Sequence, residues 1–127
     1  MVSTRSSAGR IRARFADRED LGRAGAVTAY WSHLPRVPLD ELFDLIEAEF
    51  SLPAGLLRPE DPVARLTAPL AIENPLTWLW AEAALEDAAS ELDYRFRKRV
   101  KAAGMAVPAV FPETIERLVD LWCNPAA

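Results

Sequence analysis

The stretch that decides the fold is Leu39-Asp-Glu-Leu-Phe-Asp-Leu-Ile-Glu-Ala-Glu-Phe50. Its apolar residues recur at the spacing i, i+3, i+4, i+7, and acidic residues fill most of the positions between them. Such periodicity is typical of an amphipathic α-helix that turns one face to a core and the other to water. We therefore predict a helix over 39–50, which the chain enters through the rigid residues Pro35 and Pro38.

Two short signals downstream predict further helices. Asp61 and Asn74 each stand directly before a proline, and this order favours an N-cap followed by the first helical position. After Asp61 we expect a single helical turn that ends at Leu66. After Asn74, no Gly and no further Pro beyond the capping proline occurs before Gly104, so the sequence predicts one long helix over 75–103 with Gly104 as its C-terminal cap.

The last predicted helix begins at Phe111-Pro-Glu113 and ends at Asn124. Its apolar face consists of Ile115, Leu118, Val119 and Trp122. Because no segment has the composition or alternation of strands, the sequence predicts an all-α fold, a small bundle of about four helices.

The N-terminal segment differs from the remainder of the chain. Residues 1–25 have no sustained apolar periodicity and contain three glycines among serines and arginines, so we interpret them as a flexible Arg-rich arm. Residues 26–127 have a length that suits one core, and we predict a single helical domain over this range.

Composition limits the environment of the protein. Of the 127 residues, 50% are hydrophobic and 27% are charged, which is ordinary for a soluble globular protein. No uninterrupted apolar run approaches the roughly 18 residues of a membrane-spanning helix, so we expect no membrane association. Cys123 is the only cysteine and cannot form an internal disulfide. We therefore expect a reducing, cytoplasmic location.

Charge is distributed unevenly along the chain. Residues 1–36 carry seven arginines against three acids, a net +4, whereas residues 37–127 carry a net −8. Binding to nucleic acid depends on a clustered positive surface that neutralises phosphates. The acidic charge of the predicted domain therefore argues against nucleic acid as its partner.

Three segments resemble the acyl carrier protein family. Residues 46–57 look like the end of that family's first helix and the turn after it, 60–66 look like its first loop, and 111–122 look like its closing helix. The resemblance covers about a quarter of the chain and consists mostly of hydrophobic pattern. It implies a small helical bundle and, in a true carrier, a 4′-phosphopantetheine group on a serine at the start of the second helix.

The family's Asp-Ser-Leu triplet has no counterpart here, because the matching region 66–76 contains no serine. If the chain is an acyl or peptidyl carrier, the resemblance leaves Thr67 or Ser90 as the attachment residue. Thr67 comes immediately after the acidic loop, and Ser90 matches if the second helix begins there after an insertion. This carrier function is the first alternative to our main hypothesis.

The sequence favours neither catalysis nor metal binding. His33 is the only histidine, and no nucleophile turn lies near it. Cys123 is expected at the C-terminal end of a helix, which does not activate a thiol. The acidic residues within 40–49 alternate with a core stripe, so they are more simply a solvated helix face than metal ligands.

The main hypothesis is docking to a protein partner without catalysis. The expected contact residues are acids of the first helix, one tryptophan and two arginines: Asp40, Asp44, Glu47, Trp78, Arg95 and Arg99. The acids would meet a basic or hydrophobic partner, and an exposed tryptophan would mark a contact surface. The second alternative is a small helical regulator that binds nucleic acid through the arm and the basic run over 95–101.

Overall fold

The computed structural model describes residues 11–67 and 75–124, with side chains in the second range described from residue 85 onward. These parts of the chain are all-α. The elements in chain order are α1 (Gly22–Ala26), a π-helical turn (Val27–Trp31), α2 (Arg36–Phe50), a 3₁₀ turn (Ala54–Leu56), α3 (Ala64–Thr67), α4 (Pro75–Ala102) and α5 (Ile115–Cys123). None of the helices in these ranges is both long and apolar enough to cross a membrane.

Helix α2 begins three residues earlier than the sequence predicts. Pro35 is its N-cap in an extended conformation, and Pro38 lies inside the first turn. A proline is tolerated there because the first turn has no intrahelical partner for its N–H. The helix ends at Phe50, and its C-cap Ser51 adopts φ 53° and donates its N–H to the carbonyl of Glu47 at 3.0 Å.

Helix α4 is continuous from Pro75 to Ala102, close to the predicted range of 75–103. Gly104, two residues after the end of the helix, has φ 76°, and the next N–H, that of Met105, donates to the carbonyl of Val100 at 3.2 Å. A left-handed glycine with such a bond is a common helix end. The final helix begins later than predicted, because the hydroxyl of Thr114 accepts the N–H of Arg117 and caps it there.

Helix α2 supplies the centre of the core, and the predicted amphipathic pattern is confirmed. Its buried face consists of Leu39, Leu42, Phe43, Ile46 and Phe50. This face packs against α4 and α5. Among its described side chains, α4 contributes Leu85, Ala88, Leu92, Phe96 and Val100 to the core. The three helices therefore enclose one hydrophobic core.

The structure corrects the prediction of a flexible arm for residues 11–25. Ile11 and Phe15 are 3% and 1% exposed and belong to the core. Leu21 donates its N–H to the carbonyl of Gly55 at 3.1 Å, so the segment is also attached to the 3₁₀ turn. Burial of an isoleucine and a phenylalanine outweighs the polar composition around them. Residues 1–10 of the predicted arm lie outside the described ranges.

Candidate functional site

A groove of about 430 Å³ lies where α2, α4 and α5 meet. Its lining consists of Glu41, Asp44, Leu45, Ala48 and Glu49 from α2, Glu91 and Arg95 from α4, and Trp122 from α5. We call it the carboxylate-rimmed groove, because four of its eight residues are acids. It brings together two of the predicted contact residues, Asp44 and Arg95, which are far apart in sequence.

Three apolar residues, Leu45, Ala48 and Trp122, line the groove beside its charged residues. Leu45 packs on the core, and the indole of Trp122 is only 5% exposed. The indole N–H of Trp122 donates to the carbonyl of Pro38 at 2.9 Å, and the Arg99 guanidinium lies 4.9 Å from the ring centroid. Arg99 also donates to the backbone carbonyl of Trp122. These contacts fix the position of the ring before any partner binds.

The rim of the groove carries an excess of negative charge. Glu91 pairs with Arg95 at 2.7 Å, and Glu41 pairs with Arg99 at 3.2 Å. Glu49 forms no ion pair with any side chain that the structure describes. Exposed ion pairs contribute only about 0–1 kcal/mol. A cation from a partner can therefore replace these internal partners at small cost.

The three acids of the predicted contact face, Asp40, Asp44 and Glu47, lie beside one arginine of the chain. Arg23 lies 2.7 Å from Asp44 and 3.6 Å from Asp40, and it also pairs with Glu47. Burial disfavours the charged guanidinium, but the hydrogen bonds to Asp44 and Glu47 outweigh it and raise the pKa of Arg23. Of the three predicted acids, Asp44 alone lines the groove.

The basic run over 95–101 is partly paired within the chain. Besides the pairs of Arg95 and Arg99, Arg97 binds Asp93 at 3.0 Å. Lys98 and Lys101 form no ion pair with a described side chain, so the nucleic-acid alternative stays a hypothesis. The side chain of Trp78, the remaining predicted contact residue, lies outside the described parts of the chain.

Thr67 and Ser90 lie in different environments. Thr67 is half-buried, donates its hydroxyl to the carbonyl of Val63 at 3.3 Å, and lines an apolar pocket of about 210 Å³. Ala89 and Leu92 of α4 and Phe111 also line this pocket. Ser90 is exposed on α4 and is not among the lining residues. Of these two hydroxyl residues, Thr67 is therefore the one that lines an apolar cavity.

A buried ionic cluster around Asp61 is absent from the sequence predictions. The Asp61 carboxylate accepts hydrogen bonds from Arg18 at 2.6 Å, from the backbone N–H of Arg58 at 2.9 Å and from Arg65 at 3.3 Å. The sequence predicted that Asp61 caps the turn that follows Pro62. In the structure its carboxylate instead binds the N-terminal segment. Arg58 is itself buried and donates to the carbonyl of Glu19 at 2.7 Å.

The described contacts place neither His33 nor Cys123 in a catalytic arrangement. His33 is exposed. Cys123 is buried, and burial raises the pKa of its thiol to about 11, with Arg99 opposing and Asp120 adding to the shift. A thiol with a raised pKa is a poor nucleophile at neutral pH. Among the described side chains, no group of three or more His, Cys, Asp or Glu residues is placed to hold a metal ion.

Comparison with protein-family models, with curated proteins and with solved structures finds no match to this chain.

Proposed function

We propose that the protein is a non-catalytic docking protein that binds a basic, partly apolar segment of a partner protein in the carboxylate-rimmed groove. The observation that carries this proposal is that three apolar residues, Leu45, Ala48 and Trp122, line the same groove as four carboxylates. Grooves of this kind accept one face of an amphipathic helix. The charge of the rim selects a helix whose polar residues are lysine or arginine.

The size of the groove indicates a weak or moderate interaction. A groove of about 430 Å³ holds a few apolar side chains. A small contact area is typical of transient complexes. Because the charges lie on an exposed rim, they contribute more to the rate of association and to specificity than to affinity. We therefore expect binding that weakens as salt screens the rim.

Ala48→Lys tests the groove, because it places a cation and a long side chain at an exposed position of the lining. The probe is a short synthetic peptide of Leu and Lys with its leucines on one helical face, and fluorescence anisotropy measures its Kd. We expect the substitution to weaken binding at least about tenfold, since it adds both steric overlap and like charge.

Ala102→Lys is the matched control, because it adds the same charge to an exposed alanine at the end of α4, outside the groove. It should leave the Kd within about twofold of the unsubstituted protein, and a Leu/Glu peptide should not bind. Equal effects of the two substitutions, or no binding of the Leu/Lys peptide to the unsubstituted protein, would contradict the proposed function.

A carrier function is the second candidate, and the apolar pocket beside Thr67 favours it. Such a pocket could receive an acyl chain whose prosthetic group is attached to a nearby hydroxyl, in line with the resemblance to acyl carrier proteins. Intact mass after co-expression with a phosphopantetheinyl transferase tests this candidate. A 4′-phosphopantetheine adduct that Thr67→Val abolishes and Ser90→Ala preserves would support it, and an unmodified mass would exclude it for that transferase.

A further inference from the structure

Asp44 belongs to two arrangements at once. It lines the carboxylate-rimmed groove, and its Oδ1 lies 2.7 Å from Nη1 of Arg23. Its side chain is 70% exposed, so it is accessible to a ligand from solvent. Arg23 itself is not among the groove-lining residues. Arg23 therefore neutralises Asp44, one of the rim carboxylates, from outside the groove.

The position of Arg23 does not depend on Asp44 alone. Its guanidinium also binds Glu47 and lies 6.0 Å from the ring centroid of Phe43, and its side chain is 24% exposed. The other oxygen of Glu47 accepts the backbone N–H of Ala54 at 2.8 Å, which holds Glu47 in place. Arg23 therefore remains beside the groove even when Asp44 turns to another cation.

We propose that Arg23 is an intramolecular competitor for Asp44, which weakens the binding of a cationic partner in the groove. The inference rests on the proposed function, because it concerns the regulation of the same site. A cation from a partner must share Asp44 with Arg23 or replace it, and two like charges near one carboxylate repel each other. The segment that carries Arg23 thereby sets the affinity of the groove.

Arg23→Gln and Arg97→Gln form a matched pair for the test. Each removes one positive charge that is paired with a carboxylate, but Arg97 pairs with Asp93, and neither of these residues lines the groove. We expect R23Q to tighten the Kd of the Leu/Lys peptide about three- to fivefold and to steepen its dependence on salt, because an exposed ion pair is a weak interaction. R97Q should change the Kd less than twofold.

A double-mutant cycle with Asp44→Asn shows whether Arg23 acts through Asp44. D44N alone should weaken peptide binding, and adding R23Q to D44N should have no further effect on the Kd. If R23Q lowers the thermal stability, Arg23→Met serves instead, because it retains the aliphatic stem of the side chain beside Phe43.

The outcomes separate the two proposals. If the peptide binds the unsubstituted protein and R23Q leaves the Kd unchanged or weakens binding, Arg23 is not a competitor, and the docking function still stands. If R23Q tightens binding equally in the D44N background, the effect is one of general charge and the inference is overturned. If the peptide binds none of the variants, the docking function itself fails.

Discussion

At the scale of single residues, the largest departure from sequence-based expectation is Asp61. An aspartate before a proline is a local signal for an N-cap. Asp61, however, is 3% exposed and binds Arg18, which precedes it in the sequence, and Arg65, which follows it. Arg18 is 43 positions away. No local pattern identifies such a pair, because only the fold brings the two side chains together.

Asp61→Asn should lower the free energy of unfolding by about 2 kcal/mol, since it removes the charge of a buried carboxylate that accepts hydrogen bonds from Arg18, Arg65 and the backbone N–H of Arg58. Asp93→Asn removes the exposed pair with Arg97 and should cost no more than about 0.5 kcal/mol. Urea denaturation monitored by circular dichroism measures both. Equal losses in the two variants would show that Asp61 is not the centre of a buried cluster.

At the scale of elements, the sequence predicts α2, α4 and α5 well because their signals are local. The apolar stripe of α2 and the interval without Gly or Pro before Gly104 require no knowledge of distant contacts. The helix boundaries are less well predicted. Pro38 was predicted to lie in an entry segment but lies in the first turn of α2. Thr114 caps α5 two residues after Pro112, near which the sequence predicted the start of this helix.

The ends of α2 and α4 allow two predictions of opposite sign for the free energy of unfolding. Ser51 and Gly104 both adopt positive φ, a conformation that glycine reaches without the clash of a Cβ. Ser51→Gly should therefore raise the free energy of unfolding by up to about 1 kcal/mol, and Gly104→Ala should lower it by about 1 kcal/mol. Thermal denaturation checks both substitutions, and shifts of the same sign would contradict the account of these helix ends.

At the scale of the whole molecule, the N-terminal segment is part of the folded domain over residues 11–25. Sequence reasoning missed it because Ile11 and Phe15 are isolated among charged residues and small ones, without a repeating apolar pattern. Their burial depends on Gly55 and on the cluster around Asp61, which are distant in sequence. Local sequence patterns did not predict the groove either, because residues of three separate helices line it.

Gly55→Ala should displace this segment, because a Cβ at Gly55 would overlap the Asp20 carboxylate and the backbone of Gly22. We expect a loss of at least about 2 kcal/mol in stability and faster tryptic cleavage within residues 11–25. Gly25→Ala is the control, since its Cβ would meet only Leu21 Cβ at 3.2 Å and alanine favours the helix α1. Unchanged cleavage of Gly55→Ala would mean that the segment is not held there.

The central claim is that the carboxylate-rimmed groove binds a basic amphipathic segment, and a titration followed in the amide region of the NMR spectrum tests it most directly. Adding the Leu/Lys peptide to the ¹⁵N-labelled protein should shift the indole N–H of Trp122 and the amides of Leu45, Ala48 and Arg95, which line the groove. The amides around Asp61 should stay in place. Shifts confined to that cluster, or no shifts at a saturating concentration of peptide, would contradict the account.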